Sequence, residues 1–556
     1  MPRYKTMNYD EPLLAAVDYV VDGPRTAAAV AAGRSRLTGM RFQTAGNVPQ
    51  DVAADNITGV LHGLDGRPRL YNDALFGLAV EAQNDLPSLS DVADIDDLRT
   101  MLCLLYRQAP STNGELAIDR GERVRIGLAR VNNPLALCAR LSQQILAAGM
   151  FDLYRNIELP VLAPVLAMTL VGLPVNRPVL LGIKESHETQ MEIARRILQA
   201  DAGSYFNPDD AVAVRRLLYN DLGLPCPLET RHGNQAVSKA ALAQLLPLHP
   251  LVAHLQTYRD AKSAYDSAAG VLAAVDPATS IVRGNLDSLG TATGRFSCSD
   301  PPLQALDRRV RRAIEAAPGC VLMEADYSQM ELRVLAHFSQ DPALLHAFQH
   351  DIDLHVRTAA GVLGIVEADV TDQQRQLGKT LNFGIVYGQT AFGLADELGV
   401  TMQRAEELLA AHAAAYPSVT AWIASVHQQA SNAGEVRALY GRRRSLPNIY
   451  SASEALAAEA RRHAVNTIIQ GTAADLMKLA LVRLHDRLPD DVRMLLPVHD
   501  SVLCEVPQAL VEETSRVVRN AMETRPPGFT VPLKVNIHTG RTWADCKRTK
   551  QPCASE

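Results

Sequence analysis

Arg375–Gly388 reads RQLGKTLNFGIVYG, and four of its side chains recur at every fourth residue: Arg375, Lys379, Phe383 and Tyr387. On an α-helix that spacing stacks them on one slowly drifting stripe. Two cations come first and two aromatic rings follow. Such a face suits a phosphate chain at one end and a flat base or sugar at the other. A basic i, i+4 pair is ordinarily a solvated face, and an aromatic pair is ordinarily core. Here the pattern RxxxKxxxFGxxYG fixes six positions together. The spacing predicts a helix that binds a nucleoside triphosphate.

Transfer from a triphosphate needs divalent ions that activate the attacking oxygen and neutralise the leaving one. Magnesium is a hard cation and takes a few carboxylate oxygens together with phosphate and water. Two acids stand where adjacent strands could present them. Asp326 ends the apolar run Val321–Glu324 in LMEADYSQMELRVLAH, and a helical pattern follows. Asp500 lies in MLLPVHDSVLCEV, where the strand candidates Met494–Val498 and Val502–Val506 flank a His-Asp turn. That arrangement predicts a β-hairpin. A single Asp-Tyr or His-Asp dipeptide would read as a turn cap; order and context decide otherwise here.

DYSQMELR (Asp326–Arg333), the RxxxKxxxFGxxYG helix and VHDS (Val498–Ser501) follow one another in the chain. They resemble the three polymerase motifs of family A DNA polymerases, the bacterial polymerase I-like group. Phe151 opens FDLYRNIELPVLAPVLAMTLVGLPVN, which has the apolar spacing of a long buried helix and resembles the family's entry helix. VPLKVNIHTGRTWADC resembles its closing strand and tail. The likeness covers roughly residues 151–548 and implies an α+β multidomain chain with the right-hand polymerase fold. Its expected parts are an entry helix and thumb (151–280), an antiparallel palm sheet (281–345 and 486–556) and helical fingers (346–485). Ala-rich helical patterns such as Arg404–Ala415 and Ala455–His463 fit the helical share.

The resemblance also implies roles. Asp326 and Asp500, with the Tyr327 carbonyl, would hold two Mg²⁺ ions, with Mn²⁺ as a substitute. His355, Arg375 and Lys379 would meet the triphosphate, and Lys379 is placed to protonate departing pyrophosphate. Phe383 and Tyr387 would form the nucleoside pocket. Glu331, paired with Tyr387, would exclude a 2′-hydroxyl and select deoxynucleotides. Phe rather than Tyr at position 383 implies discrimination against dideoxynucleotides. Arg295 and Gln304 lie in TATGRFSCSDPPLQ, similar to the family's primer-template segment; Arg295 would reach a minor-groove acceptor, which looks alike in every correct pair. Arg462, Asn466 and Gln470, at i, i+4 and i+8, resemble the second template-facing helix, and His499 is the neighbour of Asp500 on the DNA side. One position departs: family members usually carry Glu after the second aspartate, and this chain has Ser501. The rest of the motif set predicts that activity survives, with altered metal affinity.

Bulk properties fit. At 556 residues the chain is long enough for several cores, and 47% hydrophobic with 21% charged residues is ordinary for a globular protein. No run reaches the roughly 20 apolar residues that cross a bilayer, and MPRYKTMNYDEPLL lacks an apolar signal core, so the expectation is a cytoplasmic protein, in the host cytoplasm if phage-encoded. Eight cysteines lie scattered without CxxC pairing, against a zinc site and for a reducing compartment. A net charge of −6 excludes a wholly basic DNA-coating protein, so nucleic-acid contacts must be local. DRRVRR (Asp307–Arg312) and GRRR (Gly441–Arg444) offer local positive charge, and Arg259 and Lys262 are thumb candidates.

Residues 1–150 are expected to form a degenerate 3′–5′ exonuclease-like α/β domain, with an unrelated N-terminal domain as the alternative. LYNDALFGLAVEA (Leu70–Ala82) and IDDLRTMLCLL (Ile95–Leu105) resemble two of its segments, while AVDYVVDG (Ala16–Gly23) lacks the DxE of the family's first strand. Asn132 and Asn133 stand where a late acid is expected, and a neutral amide is a poor magnesium ligand. The expected function is a template-directed DNA polymerase without proofreading, acting on primer-template DNA and dNTPs. A catalytically impaired DNA-binding relative is the alternative that Ser501 suggests. A single-subunit RNA polymerase is disfavoured by Glu331.

Overall fold

The computed structural model describes residues 15–22, 26–44, 50–63, 69–71, 74–84, 95–106, 134–202, 206–227, 234–386 and 388–547. Tyr387, Asn132 and Asn133 fall outside them. The N-terminal layer is built on five strands: β1 (Ala15–Asp22), β2 (Arg36–Thr44), β3 (Gln50–Ala53), β4 (Arg69–Tyr71) and β5 (Ile95–Asp97). Their order is β3-β2-β1-β4-β5. β1 runs antiparallel to β2 and parallel to β4, and β4 runs parallel to β5. Parallel neighbours need a crossover, and the helix Ala74–Gln83 lies in the one between β4 and β5. This is the expected α/β layer. Its core joins Tyr19, Leu70, Tyr71 and Met101 to Leu153, Tyr154, Ile157 and Leu162. A boundary expected at residue 150 therefore falls inside a shared core.

The entry segment differs from the single long helix that its apolar spacing predicts. It consists of a short turn at Phe151–Leu153, a π-helical turn at Tyr154–Glu158 and a helix at Leu162–Val171. Pro160 lacks the amide that a continuous helix would need, so the break falls there, while Pro164 sits in the first turn of the new helix where prolines are tolerated. The π turn aims Glu158 inward. Glu158 is fully buried and accepts hydrogen bonds from Lys478 Nζ (2.7 Å) and from Arg442, which also reaches Asp475. Burial would raise the Glu158 carboxyl, but Lys478 and Arg442 hold it below its usual range. A paired buried charge is kept, and removing one partner strands the others. This tetrad ties the entry segment to the long helix Glu454–His485.

Two 25-residue helices, Arg177–Asp201 and Pro250–Ala274, pack on each other within the stretch 151–280. Asn176 and His249 cap their first turns, each followed by proline in the opening turn. Short pairs follow: β6 (Leu173–Pro174) with β7 (Ile281–Val282), and β8 (Asn285–Asp287) with β9 (Ser297–Ser299).

The sheet that carries the acids comes next. β10 (Cys320–Tyr327) is separated from its partners by the helices of residues 330–433, the hairpin β11 (Glu435–Arg437) and β12 (Arg443–Ser445), and the helix Glu454–His485. Then come β13 (Arg493–Val498), β14 (Ser501–Pro507) and β15 (Val535–Gly540). The order is β13-β14-β10-β15, antiparallel throughout. One face of β10, with Met323, Ala325 and Tyr327, packs in a core with Leu476, Leu481 and Val518 of the helices. The other face carries Leu322, Glu324 and Asp326, as the two-residue period requires.

Candidate active site

Asp326 stands at the end of β10, directly opposite Ser501 on β14 and Asn536 on β15. Val498 pairs with Ser501, so His499 and Asp500 form a two-residue hairpin turn, as the sequence predicts. His499 has φ 55°, a left-handed conformation that L-residues adopt at a cost. The Tyr327 amide donates to the Asp500 carbonyl at 3.0 Å, locking the turn to the strand that carries Asp326. The Tyr327 hydroxyl donates to Met522 O at 2.7 Å and is buried. The two acids therefore meet at adjacent strand ends. Burial raises the Asp500 carboxyl above its usual range, against the pull of Arg295.

Glu331 lies in the first turn of the helix Met330–Ser339 and is buried. Its carboxylate accepts from the Arg295 guanidinium, which also lies 3.9 Å from Asp500 Oδ1. Arg295 thus sits between the two acids. The predicted pairing of Glu331 with Tyr387 lies outside the described residues.

Arg375, Lys379 and Phe383 of the stripe lie on one helix, Asp372–Val386. It lies close against the helix Leu354–Leu363 because position 378 is glycine, where a Cβ would run into the His355 carbonyl. Arg375 donates from Nε to Asp353 Oδ2 at 2.8 Å, and Asp353 also caps the Leu354 helix. Burial would raise the Asp353 carboxyl, but the hydrogen bond and charge of Arg375 together with the Val356 and His355 amides hold it below its usual range. Lys379 is exposed and, with Phe383, faces the acids across one cleft.

His355 is 4% exposed, and its ring lies 5.9 Å from that of Phe383. Burial pushes its pKa down to about 4; the charge of Asp353 opposes this, and Arg375 and Lys379 reinforce it. The ring is therefore neutral at pH 7. Asn382 Oδ1 accepts from Thr358 Oγ1 (3.0 Å) and pairs with His412 Nε2 (3.2 Å), which leaves its amide to donate to His355 Nδ1 at 3.1 Å. That assignment puts the remaining proton of His355 on Nε2, a neutral donor. Asn382 and Asp353 are positioning residues that pattern reading missed. The signal for Asp353 was an Asp two residues before His355 at a helix start; Asn382 had none.

The DNA-side candidates divide. Arg462, Asn466 and Gln470 share a half-buried face of the helix Glu454–His485, and Arg462 lines a second cleft of about 590 Å³ with Lys379, Phe383 and Gly388. Asn466 Oδ1 is buried with no hydrogen-bond partner among the described residues. Gln304, by contrast, is buried and donates to Pro497 O at 2.8 Å, away from the cleft. The arginine clusters are mostly internal fasteners. Arg309 pairs with Asp307, Arg311 lies over the Trp543 ring, Arg442 joins the buried tetrad, and Arg444 donates to Thr467. Arg308 and Arg312 remain exposed. On the helix Pro250–Ala274, Arg259 donates to Val237 O, and Lys262 pairs with Asp266.

Asp326, Asp500, Lys379, His355, Phe383, Glu331, Arg295, His499 and Tyr327 all line a cleft of about 530 Å³. Among the described residues no three His, Cys, Asp or Glu side chains are gathered to hold a metal ion by themselves. Two carboxylates open to a cleft do fit a hard cation that takes its remaining ligands from phosphate and water. The sequence model of DNA polymerase family A matches residues 179–545, about two thirds of the chain. The chain belongs to DNA polymerase family A. It is 36% identical to a thermostable DNA polymerase I of Thermus filiformis over 446 residues, 78% of this chain and 52% of that one. It is also 36% identical to the DNA polymerase I of Chloroflexus aurantiacus over 427 residues, 74% of this chain and 45% of that one. The chain thus spans about half the length of these relatives. A solved structure, the POL domain of Pol1 from M. smegmatis in complex with DNA primer-template and dNTP, superposes with a TM-score of 0.85 at 26% identity. The match covers 96% of this chain and 95% of that one. The right-hand polymerase fold is thereby shown, and family A members use divalent metal ions. No described helix is long and apolar enough to cross a membrane.

Proposed function

We propose that this family A chain is a template-directed DNA polymerase that adds deoxynucleotides to a primer 3′-hydroxyl and releases pyrophosphate. The observation that carries this reading is that Asp326 and Asp500 share one cleft with Lys379, His355 and Phe383. The mycobacterial neighbour, held with primer-template DNA and dNTP, supports the same substrates. In this reading the primer 3′-oxygen bonds to the α-phosphorus while the bond to the pyrophosphate oxygen breaks, and the hydroxyl proton passes to solvent. Two Mg²⁺ ions, with Mn²⁺ as a substitute, held by Asp326, Asp500 and the Tyr327 carbonyl, would activate the attacking oxygen and neutralise the leaving one.

The chain's own groups do the rest. Arg375 and Lys379 bind the triphosphate, and Lys379 can give a proton to pyrophosphate as it leaves. His355 offers Nε2–H to a phosphate oxygen without adding charge. Phe383, with Tyr387, stacks on the nucleoside. Glu331 and Tyr387 close off the 2′ position. Arg295 exchanges Glu331 for the primer's minor groove in this reading, and Arg462, Asn466, Gln470 and His499 lie along the DNA path, while Gln304 stays buried against Pro497. We assign residues 151–280 to the entry segment and thumb, 281–345 and 486–556 to the palm, and 346–485 to the fingers.

Proofreading is absent in this reading, because the buried acids of the N-terminal layer are engaged in packing. Glu81 accepts from Tyr19 (2.7 Å), Tyr71 (2.8 Å) and Arg69 (3.0 Å). Asp97 caps Thr100. We assign the chain to the cytoplasm, that of the host if it is phage-encoded. Primer extension with dNTPs against rNTPs tests the polymerase reading, which expects only dNTPs to be incorporated. Degradation of a 3′-labelled single strand tests the absence of proofreading.

A further inference from the structure

Glu324 is a carboxylate in the wrong surroundings. It is 1% exposed and lies on the same face of β10 as Asp326, two residues away. Leu503 faces it across β14, and His538 faces it across β15. Leu322, Leu503, Val498 and Trp543 form the apolar cluster on this face. Burying a carboxylate among such groups is costly unless something uses its charge. Arg311, stacked on Trp543, is near enough for their charges to interact, as is the Cys546 thiol. The third neighbour is Ser501. Its hydroxyl lies 3.0 Å from Val498 O and 3.4 Å from Glu324 Oε1. The one hydroxyl proton goes either to Val498 O or to Glu324 Oε1, and in the second case Ser501 ties Glu324 to the turn that carries His499 and Asp500.

We propose that Glu324 is a positioning residue of the cation site, a carboxylate on Asp326's own strand that acts through Ser501. It supplies there the negative charge that family A chains usually carry directly after the second aspartate. Ser501 and Glu324 then belong together. A carboxylate at position 501 would be forced beside Glu324 in a nearly dry site, where like charges repel strongly. The serine is not a lost acid but the accommodation to an acid moved to the neighbouring strand. This inference rests on the reading of Asp326 and Asp500 as cation ligands.

The test is Mn²⁺ binding to the full chain, followed by electron paramagnetic resonance without nucleotide or DNA, alongside thermal unfolding. Glu324→Gln should raise the Mn²⁺ dissociation constant on the order of tenfold, as loss of an outer-sphere partner does. Ser501→Ala, which removes only the bridging hydroxyl, should raise it severalfold. Ser501→Glu alone should lower the melting temperature without tightening Mn²⁺, and the swap Ser501→Glu with Glu324→Ser should restore binding. Unchanged Mn²⁺ affinity in Glu324→Gln, whatever its melting temperature, would show a carboxylate kept only for Arg311 and overturn the proposal. So would Ser501→Glu that tightens Mn²⁺ with no loss of stability, or a swap that fails to recover binding. Primer extension by the wild type separates the two readings. Extension together with unchanged Mn²⁺ binding in Glu324→Gln sinks only this inference. Weakened Mn²⁺ binding in a chain that never extends a primer sinks only the polymerase reading.

Discussion

The Arg295 guanidinium lies 3.9 Å from Asp500 Oδ1 while it holds the buried carboxylate of Glu331. Arg295 is 21% exposed and Glu331 3% exposed, so the pair is nearly withdrawn from water. Arg295→Ala leaves Glu331 charged and buried without that partner. The expected loss is about 3 kcal/mol, at the lower end for a broken buried pair because Arg295 retains some solvent. Adding Glu331→Gln should return most of it. Urea unfolding of the two single variants and the double variant checks this; independent, additive losses would contradict it.

Acid should weaken the packing of the helices that carry His355 and His412 before it touches the carboxylates. His355 and His412 are both buried, and burial lowers each to about 4. In the unfolded chain each titrates near 6.5. Between those values the unfolded state binds more protons, so stability is full above the unfolded pKa and falls as pH drops toward 4. At pH 5 the expected loss is about 2 kcal/mol for each histidine. Chemical denaturation at pH 7.5 and pH 5 measures it, and His412→Gln should remove about half of the pH slope.

Gly378 lets two helices touch. A Cβ there would collide with the His355 backbone, which cannot rotate away. Gly378→Ala should cost about 1–3 kcal/mol, as overpacking does. It should also raise KM for dNTP, because the shift displaces Lys379 and His355 together. A variant with normal KM and normal melting temperature would remove the helix contact from the account.

Lys379 is exposed in the cleft. If it meets charge that develops on the leaving pyrophosphate, Lys379→Ala should lower kcat on the order of 10²-fold. Steady-state kinetics that show only a raised KM would make it a ground-state binder.

Much of this was legible in the chain. The apolar runs at Val321–Glu324, Met494–Val498 and Val502–Val506 are the strands that hold Asp326 and Asp500, and Arg375 to Phe383 is helical. Two-residue and four-residue periods survive folding because each reports one buried face. The entry segment misled because its apolar spacing outvoted Pro160. The arginine clusters misled for another reason: charge count does not reveal that Arg442 and Arg311 are enclosed by partners distant in sequence. Asn382 and Glu324 were invisible for the same cause, since their meaning lies in a neighbouring helix or strand.

In the reading proposed above, Asp326 and Asp500 carry templated DNA synthesis. Single-turnover primer extension with Mg²⁺, comparing the wild type with Asp326→Asn and Asp500→Asn, tests it most directly. The wild type should add templated dNTPs, and each variant should lose activity on the order of 10³-fold or more. A wild type that extends no primer with Mg²⁺ or Mn²⁺, or an Asp326→Asn chain that extends as well as the wild type, would contradict it.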